Sequence, residues 1–382
     1  MKIVIDSLAG LKNGKVYSPM FGERVLEITL DNDKVETPSY AMSQTDLNSA
    51  AILSGHLLPP AQFNTKVAEI KRSYSIEELS AMASDSTGEL IETEISWING
   101  QISRLRSASN VLMFIFIPII EGDTPLSRQI ADLLVSMQIE TDLKIISVPD
   151  CQNYKGAQTL SMFKQAKRKI VSKGKYAFYM IPMGYKPSKF KSKIGKVLKV
   201  AKGIIGIYDD FDNNRDNFFF IATLYNQKIV RAISNVPRRY PSRTDESIIC
   251  LLSLICDIVS ISYGGKHGSK EDPAKEQANA KMFVPSANMY YTLSRYESMF
   301  GKQLNCGCSV CAGNNIDVFR SDYYGQLRKA FRIHETENLI SVYESIRSEI
   351  GKGTFGKYIK NIRNSKTVTQ ALSASKTQKR FP

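Results

Sequence analysis

The sequence Cys306-Gly307-Cys308-Ser309-Val310-Cys311 places three thiols within six residues. Gly307 permits the tight backbone that aims neighbouring thiols at one point. His334 follows after 22 intervening residues, across a segment, Ser321 to Arg332, that reads as a helix. The chain holds only three histidines, so one at this distance is informative. Three thiolates and one imidazole fill a tetrahedral shell, the donor set of a structural zinc ion with no position left for an activated water. Packing alone is a poor explanation for three cysteines so close together. The expected cofactor is therefore one structural Zn2+ on Cys306, Cys308, Cys311 and His334.

Charge is the second signal. The 382 residues carry a formal charge of +14, against an ordinary 43% hydrophobic and 23% charged composition. From Cys151 to Tyr208 there are fourteen Lys or Arg residues and no acid, interleaved with Tyr176, Phe178, Tyr179, Tyr185 and Phe190. From Lys352 to Pro382 there are eight more, again with no acid. A solvated helix face usually mixes both signs, whereas phosphate contacts need positive charge and little sequence detail. Nucleic acid is thus the expected partner, with Lys189, Lys191, Lys193 and Lys196 in the first stretch as expected contacts. No apolar run is long enough to span a membrane, and the start Met-Lys-Ile-Val-Ile-Asp has no signal-peptide pattern, so a cytoplasmic location is expected. Six cysteines in such a chain argue for metal or core packing before disulfides.

These groups need a scaffold. Gly22 to Pro38 reads as a hairpin: Leu26, Ile28 and Leu30 alternate with Glu27 and Thr29 before the turn-prone Asp31-Asn32-Asp33. Strands are predicted at 39–42, 111–120, 143–148, 176–182, 203–208, 218–224, 229–234 and 256–263, and helices at 127–137, 158–172, 189–200 and 244–255. Short, nearly all-apolar strands alternating with helices imply a parallel sheet covered by helices. About eight such units fit a (β/α)8 TIM-like barrel, with a doubly wound sheet as the alternative. The expected organisation is a barrel with its N-terminal hairpin over 1–300, a zinc-binding subdomain over 301–350 and a basic tail over 351–382.

The Cys-x-Cys-x2-Cys…His pattern after a barrel-like chain resembles the tRNA-guanine transglycosylase superfamily. Further segments are similar and fall in that family's order: Val35-Glu36-Thr37-Pro38-Ser39-Tyr40, Gly55-His56-Leu57-Leu58-Pro59-Pro60, Asp85-Ser86-Thr87-Gly88, Tyr179-Met180-Ile181-Pro182-Met183-Gly184 and Cys256-Asp257-Ile258-Val259. The resemblance spans roughly residues 22 to 345. It implies exchange of guanine for a 7-deazaguanine, such as 7-cyano-7-deazaguanine, in a polynucleotide. One carboxylate attacks the sugar and forms a covalent aspartyl–sugar intermediate. A second contacts the base or manages protons. The target nucleotide must leave its stack to enter the pocket. Carried onto this sequence, the resemblance implies Asp257 as nucleophile and Asp85 as acid/base or base-binding group. Ser86, Gly184, Ser260 and one of Glu121, Asp123 or Asp150 would line the substrate.

The sequence departs from the family pattern at two points. Ser-Thr-Gly-Glu follows Asp85 in place of Ser-Gly-Gly-Phe, and Ser260 stands where the family places the second of two aspartates. Three readings follow: an enzyme on DNA, an enzyme on tRNA, or a catalytically degraded subunit that grips nucleic acid for a partner protein. A bare core with a basic tail is most similar to the branch that inserts 7-deazaguanines into DNA, in phages and bacterial DNA-modification systems.

Overall fold

The computed structural model describes residues 1–8, 11–12, 15–16, 24–53, 63–122, 124–200, 204–208, 215–224, 227–236, 247, 252, 255–261, 280–320 and 324–361. Strands β1 (Lys2–Leu8), β2 (Arg24–Leu30) and β3 (Asp33–Thr37) form an antiparallel sheet in the order β1-β2-β3. The expected hairpin is β2–β3, with Asp31 at φ 54°, a left-handed turn conformation that short polar side chains tolerate.

The rest is an α/β fold on parallel strands. Six of them, β4 (Ser39–Tyr40), β8 (Ile145–Pro149), β9 (Tyr176–Pro182), β10 (Ile204–Tyr208), β11 (Val230–Val236) and β12 (Ile258–Ile261), run β8-β9-β10-β11-β12-β4. Three more, β5 (Met42–Ser43), β6 (Val67–Tyr74) and β7 (Met113–Ile120), form a parallel sheet β5-β6-β7. Only Ala41 separates β4 from β5, so one extended stretch joins the two sheets. At the other edges the Ser147 hydroxyl of β8 donates to the Phe116 carbonyl of β7.

The strands are buried on both faces, which accounts for their apolar runs. In β7, Phe114 and Phe116 pack outward with the helices, whereas Met113, Ile115 and Ile117 join an inner cluster with Ile145, Phe178, Met180, Val230 and Ile258. Gly206 of β10 faces Phe178: a β-carbon there would lie 2.3 Å from the ring, so the phenyl fills space that only glycine leaves. Leu26, Ile28, Leu30 and Val35 of the hairpin belong to the same inner cluster. Arg24 beside them donates to the carbonyls of Gln227 and Ile229, just before β11, so the hairpin closes the N-terminal end of the strands.

Helices α1 (Gln44–Leu53), α2 (Ile76–Ser84), α3 (Glu89–Ala108), α4 (Arg128–Ile139), α5 (Gly156–Ser172), α6 (Pro187–Val200) and α7 (Arg215–Ala222) connect successive strands. Two expectations are corrected. Residues 218–224 lie largely in α7, not in a strand, and β6 was not foreseen. Short apolar runs such as Phe218-Phe219-Phe220-Ile221 do not separate a buried helix from a strand. The predicted helix over 244–255 lies almost wholly outside the described residues.

The C-terminal part comprises the ladder β13 (Lys281–Val284) and β14 (Met289–Thr292), then α8 (Leu293–Phe300), α9 (Tyr324–Gly351) and α10 (Phe355–Asn361). Helix α9 runs the length of the parallel strands. Arg332 pairs with Asp46 in the first turn of α1, just after β5, 2.8 Å away, and Arg347 donates to Pro38 O just before β4, also 2.8 Å. Its buried Leu339, Tyr343 and Ile346 share one hydrophobic core with the strand-connecting helices.

Candidate functional site

The metal tetrad is assembled by α9 and the loop after α8. Cys306, Cys308, Cys311 and His334 offer ligand atoms that all lie within 4.8 Å of one another. His334 Nδ1 is 3.5 Å from Cys306 Sγ, 3.3 Å from Cys308 Sγ and 3.2 Å from Cys311 Sγ. Its Nε2 lies 2.7 Å from the Phe283 carbonyl of β13. A carbonyl only accepts, so Nε2 carries the proton and the Nδ1 lone pair faces the sulfurs, the orienting contact typical of a ligating histidine. Asn338, one turn further along α9, approaches Cys306 Sγ at 3.6 Å. Glu337 takes both the backbone N–H and the hydroxyl of Ser309, at 2.6 and 2.8 Å, pinning the cysteine loop to the helix. This cluster could hold a metal ion. Cys151 and Cys256 are buried elsewhere, and burial pushes their thiols up to about 11 and about 12, as for inert core cysteines.

At the C-terminal ends of β7, β8 and β9 is a cavity of about 260 Å3 lined by Pro118, Ile120, Thr124, Asp150, Gln152 and Met180 among others. Of the three carboxylates considered for this region, Asp150 lines it; Glu121 is exposed, and Asp123 lies outside the described residues. Asp150 accepts from Tyr185 Oη and from buried Lys193 Nζ, both at 2.8 Å. Burial pushes its carboxyl up, opposed by Lys193 and Tyr185. Gly184 is exposed in the turn that follows β9.

On β6, β11 and β12 the inner face also carries polar residues. Ser260 of β12 donates to Glu69 Oε2 of β6, and Lys71 Nζ lies 2.9 Å from the same oxygen. Ser234 Oγ of β11 is 3.4 Å from Ser260 Oγ. Glu69, Ser234 and Ser260 are buried, whereas the Lys71 side chain is 19% exposed and its ammonium reaches the Ile261 carbonyl. Ser260 was expected at the site; Glu69, Lys71 and Ser234 were not. The available signal was the alternation Val67, Glu69, Lys71, which puts all three on one strand face.

Several expected residues lie elsewhere. Asp257 is at the N-terminal end of β12, away from the Glu69 network. Arg24 Nη2 and Arg231 Nη2 reach its two oxygens at 2.7 and 3.0 Å, and the Arg231 backbone N–H adds a bond of 2.7 Å. Burial alone would push this carboxyl up; Arg231 and Arg24 outweigh it and hold the group well below the usual carboxylate range. Asp257, the expected nucleophile, is thus 1% exposed with both oxygens engaged. Asp85, the expected acid/base or base-binding group, is engaged locally. It sits between α2 and α3, separated from β6 by a whole helix, and its oxygens accept from Thr87 Oγ1, Thr87 N and Leu90 N. These bonds, the Thr87 hydroxyl first, lower it to about 2, as for a turn and helix-start aspartate. Ser86 beside it is exposed.

The basic stretch is divided. Lys193, expected as a phosphate contact, is buried and bonds Asp150, Cys151 O and Thr159 Oγ1. Lys191 is exposed on α6, whereas Lys189 and Lys196 are partly exposed. Lys189 Nζ stands 3.7 Å over the Tyr185 ring, beside the Asp150 cavity. The Gly55–Pro60 segment and residues 362–382 lie outside the described residues. Among the described residues, no helix is long and apolar enough to cross a membrane.

No family model matches the chain, and no curated protein matches it. Among solved structures, the chain is similar to one from Coccidioides immitis, provisionally described as a fructose-1,6-biphosphate aldolase. The two share 8% identity at a TM-score of 0.37, over 81% of this chain and 91% of that one. So distant a likeness carries no argument about chemistry.

Proposed function

We propose that this chain is a nucleic-acid guanine transglycosylase that exchanges guanine for a 7-deazaguanine of the 7-cyano-7-deazaguanine type, acting on DNA. The observation that carries this reading is the convergence of Cys306, Cys308, Cys311 and His334 on one point, in the spacing whose resemblance to that family was described above. The ion is zinc in this reading. Bonds of about 2.3 Å to sulfur and about 2.0 Å to nitrogen would set tetrahedral donor separations of roughly 3.5–3.8 Å, and the observed 3.2–3.5 Å is within a few tenths of an ångström. It would fix α9, whose Arg332 reaches Asp46 at the functional end of the strands, and so would act structurally.

Closure of the two parallel sheets into a (β/α)8 barrel belongs to the same reading. The joint at Ala41 and the Ser147–Phe116 bond support it. A closed barrel would gather the Asp150 cavity and the Glu69 network at one mouth, with the lysines of α6 alongside to hold a phosphate backbone. The resemblance to the DNA-modifying branch favours DNA over tRNA.

The occupied state of Asp257 favours a second reading, a catalytically degraded subunit that grips DNA for an active partner protein. Mass spectrometry of nucleosides decides between them. After incubation of duplex DNA with the protein and 7-cyano-7-deazaguanine, the modified deoxynucleoside is expected in the digest. DNA binding without any modified nucleoside would leave the subunit reading.

A further inference from the structure

We propose, resting on the base-exchange reading, that Glu69 is the carboxylate that attacks the sugar, with Lys71 and Ser260 as its positioning residues. The case is geometric. The inner wall is apolar where the hairpin plugs it, through Val67, Met113, Ile145, Val230 and Ile258. Two residues beyond Val67 on β6, level with Ser43 at the end of β5, Glu69 enters this wall. Burying a carboxylate is costly unless it is paired, and a purely structural wall would have used another aliphatic residue. Lys71 and Ser260 both engage Oε2, and among the described residues no hydrogen bond is made to Oε1. One oxygen is thus held and the other is left to react. The part-exposed Lys71 side chain marks the direction of the opening.

Among the described residues, three other buried carboxylates of the strands and their connections have both oxygens or their charge engaged. Asp46 accepts from Ser43 and Arg332, Asp150 from Tyr185 and Lys193, and Asp257 is held by two arginines at the opposite end. Glu69 attacks without prior loss of a proton, as a carboxylate nucleophile does. Oε1 bonds to C1′ of the target nucleotide, the C1′–N9 bond breaks, and its electron pair leaves with guanine, which takes a proton from water at N9. The incoming 7-deazaguanine then attacks C1′ through N9, loses the N9 proton to water, and releases the Glu69 carboxylate. Two displacements restore the starting configuration, and no oxidant or reductant is needed.

The test maps the intermediate. The full zinc-loaded chain is incubated with guanine-containing duplex DNA without an incoming base, denatured, digested and sequenced by mass spectrometry, with base exchange measured in parallel. The sugar adduct is expected on Glu69. Glu69→Gln is expected to lose exchange by on the order of 10⁴-fold or more while keeping its zinc. An adduct on any other residue overturns the proposal and leaves the base-exchange reading standing, as does exchange that persists in Glu69→Gln. Mapping the wild-type adduct decides the matter even if the variant misfolds. A wild-type chain that neither exchanges bases nor forms an adduct, on DNA or on tRNA, ends both.

Discussion

Arg24 and Asp257, 233 residues apart, meet in a buried two-point ion pair: Nε to Oδ1 at 3.0 Å and Nη2 to Oδ2 at 2.7 Å. Arg231 completes the cluster from β11 with 3.0 and 3.2 Å contacts to the two oxygens. The cluster pins the N-terminal hairpin over the end of the inner core. Removing the shared acid takes a counter-charge from two buried guanidinium groups.

Asp257→Asn is therefore expected to destabilise the fold by about 3–5 kcal/mol. Urea unfolding followed by circular dichroism measures this, and a loss below about 1 kcal/mol contradicts the structural role. The acid dependence has a definite sign. The folded carboxyl titrates below its unfolded value of about 3.9, so its contribution is complete above that pH and disappears as pH falls below it. In Asp257→Asn this acid-side loss of stability should be smaller.

For the metal tetrad, Cys308→Ser is expected to abolish stoichiometric metal and lower the melting temperature, because the binding energy of a structural ion is folding energy. Elemental analysis of the wild-type protein is expected to return one zinc per chain. An equally stable, metal-free wild-type chain would contradict the assignment.

Replacing Lys189, Lys191 and Lys196 by alanine is expected to weaken DNA binding without regard to sequence. It should flatten the slope of log K against log salt by up to about 2.7, at about 0.9 per phosphate contact. Lys193→Ala should behave differently: its ammonium is buried against Asp150, so stability should fall first. Fluorescence anisotropy titrations at several salt concentrations separate the two effects. An unchanged slope in the triple variant removes these lysines from the interface.

Legibility followed the physics of each segment. The apolar run of β7 declared a strand buried on both faces, and the spacing from Cys306 to Cys311 pointed to the cluster with His334 that could hold a metal ion. β6 was hidden because Glu69 and Lys71, charged residues on the inner face, break its apolar pattern. A local motif around Asp257 does not show that Arg24, across the chain, and Arg231, from the neighbouring strand, converge on it. An Asp-Ser-Thr-Gly turn at a helix start can look like a catalytic loop, and the bonds of Asp85 to Thr87 and Leu90 appear only in the structure. Side-chain partners distant in sequence decide what a carboxylate does, and a single sequence does not display them.

The most direct test of base exchange is release of labelled guanine. Duplex DNA carrying labelled guanine is incubated with the wild-type protein and excess 7-cyano-7-deazaguanine, with labelled tRNA in a parallel reaction. Time-dependent loss of label from DNA, dependent on the incoming base and absent in Glu69→Gln, is the expected result. Retention of label by both polynucleotides would contradict the account.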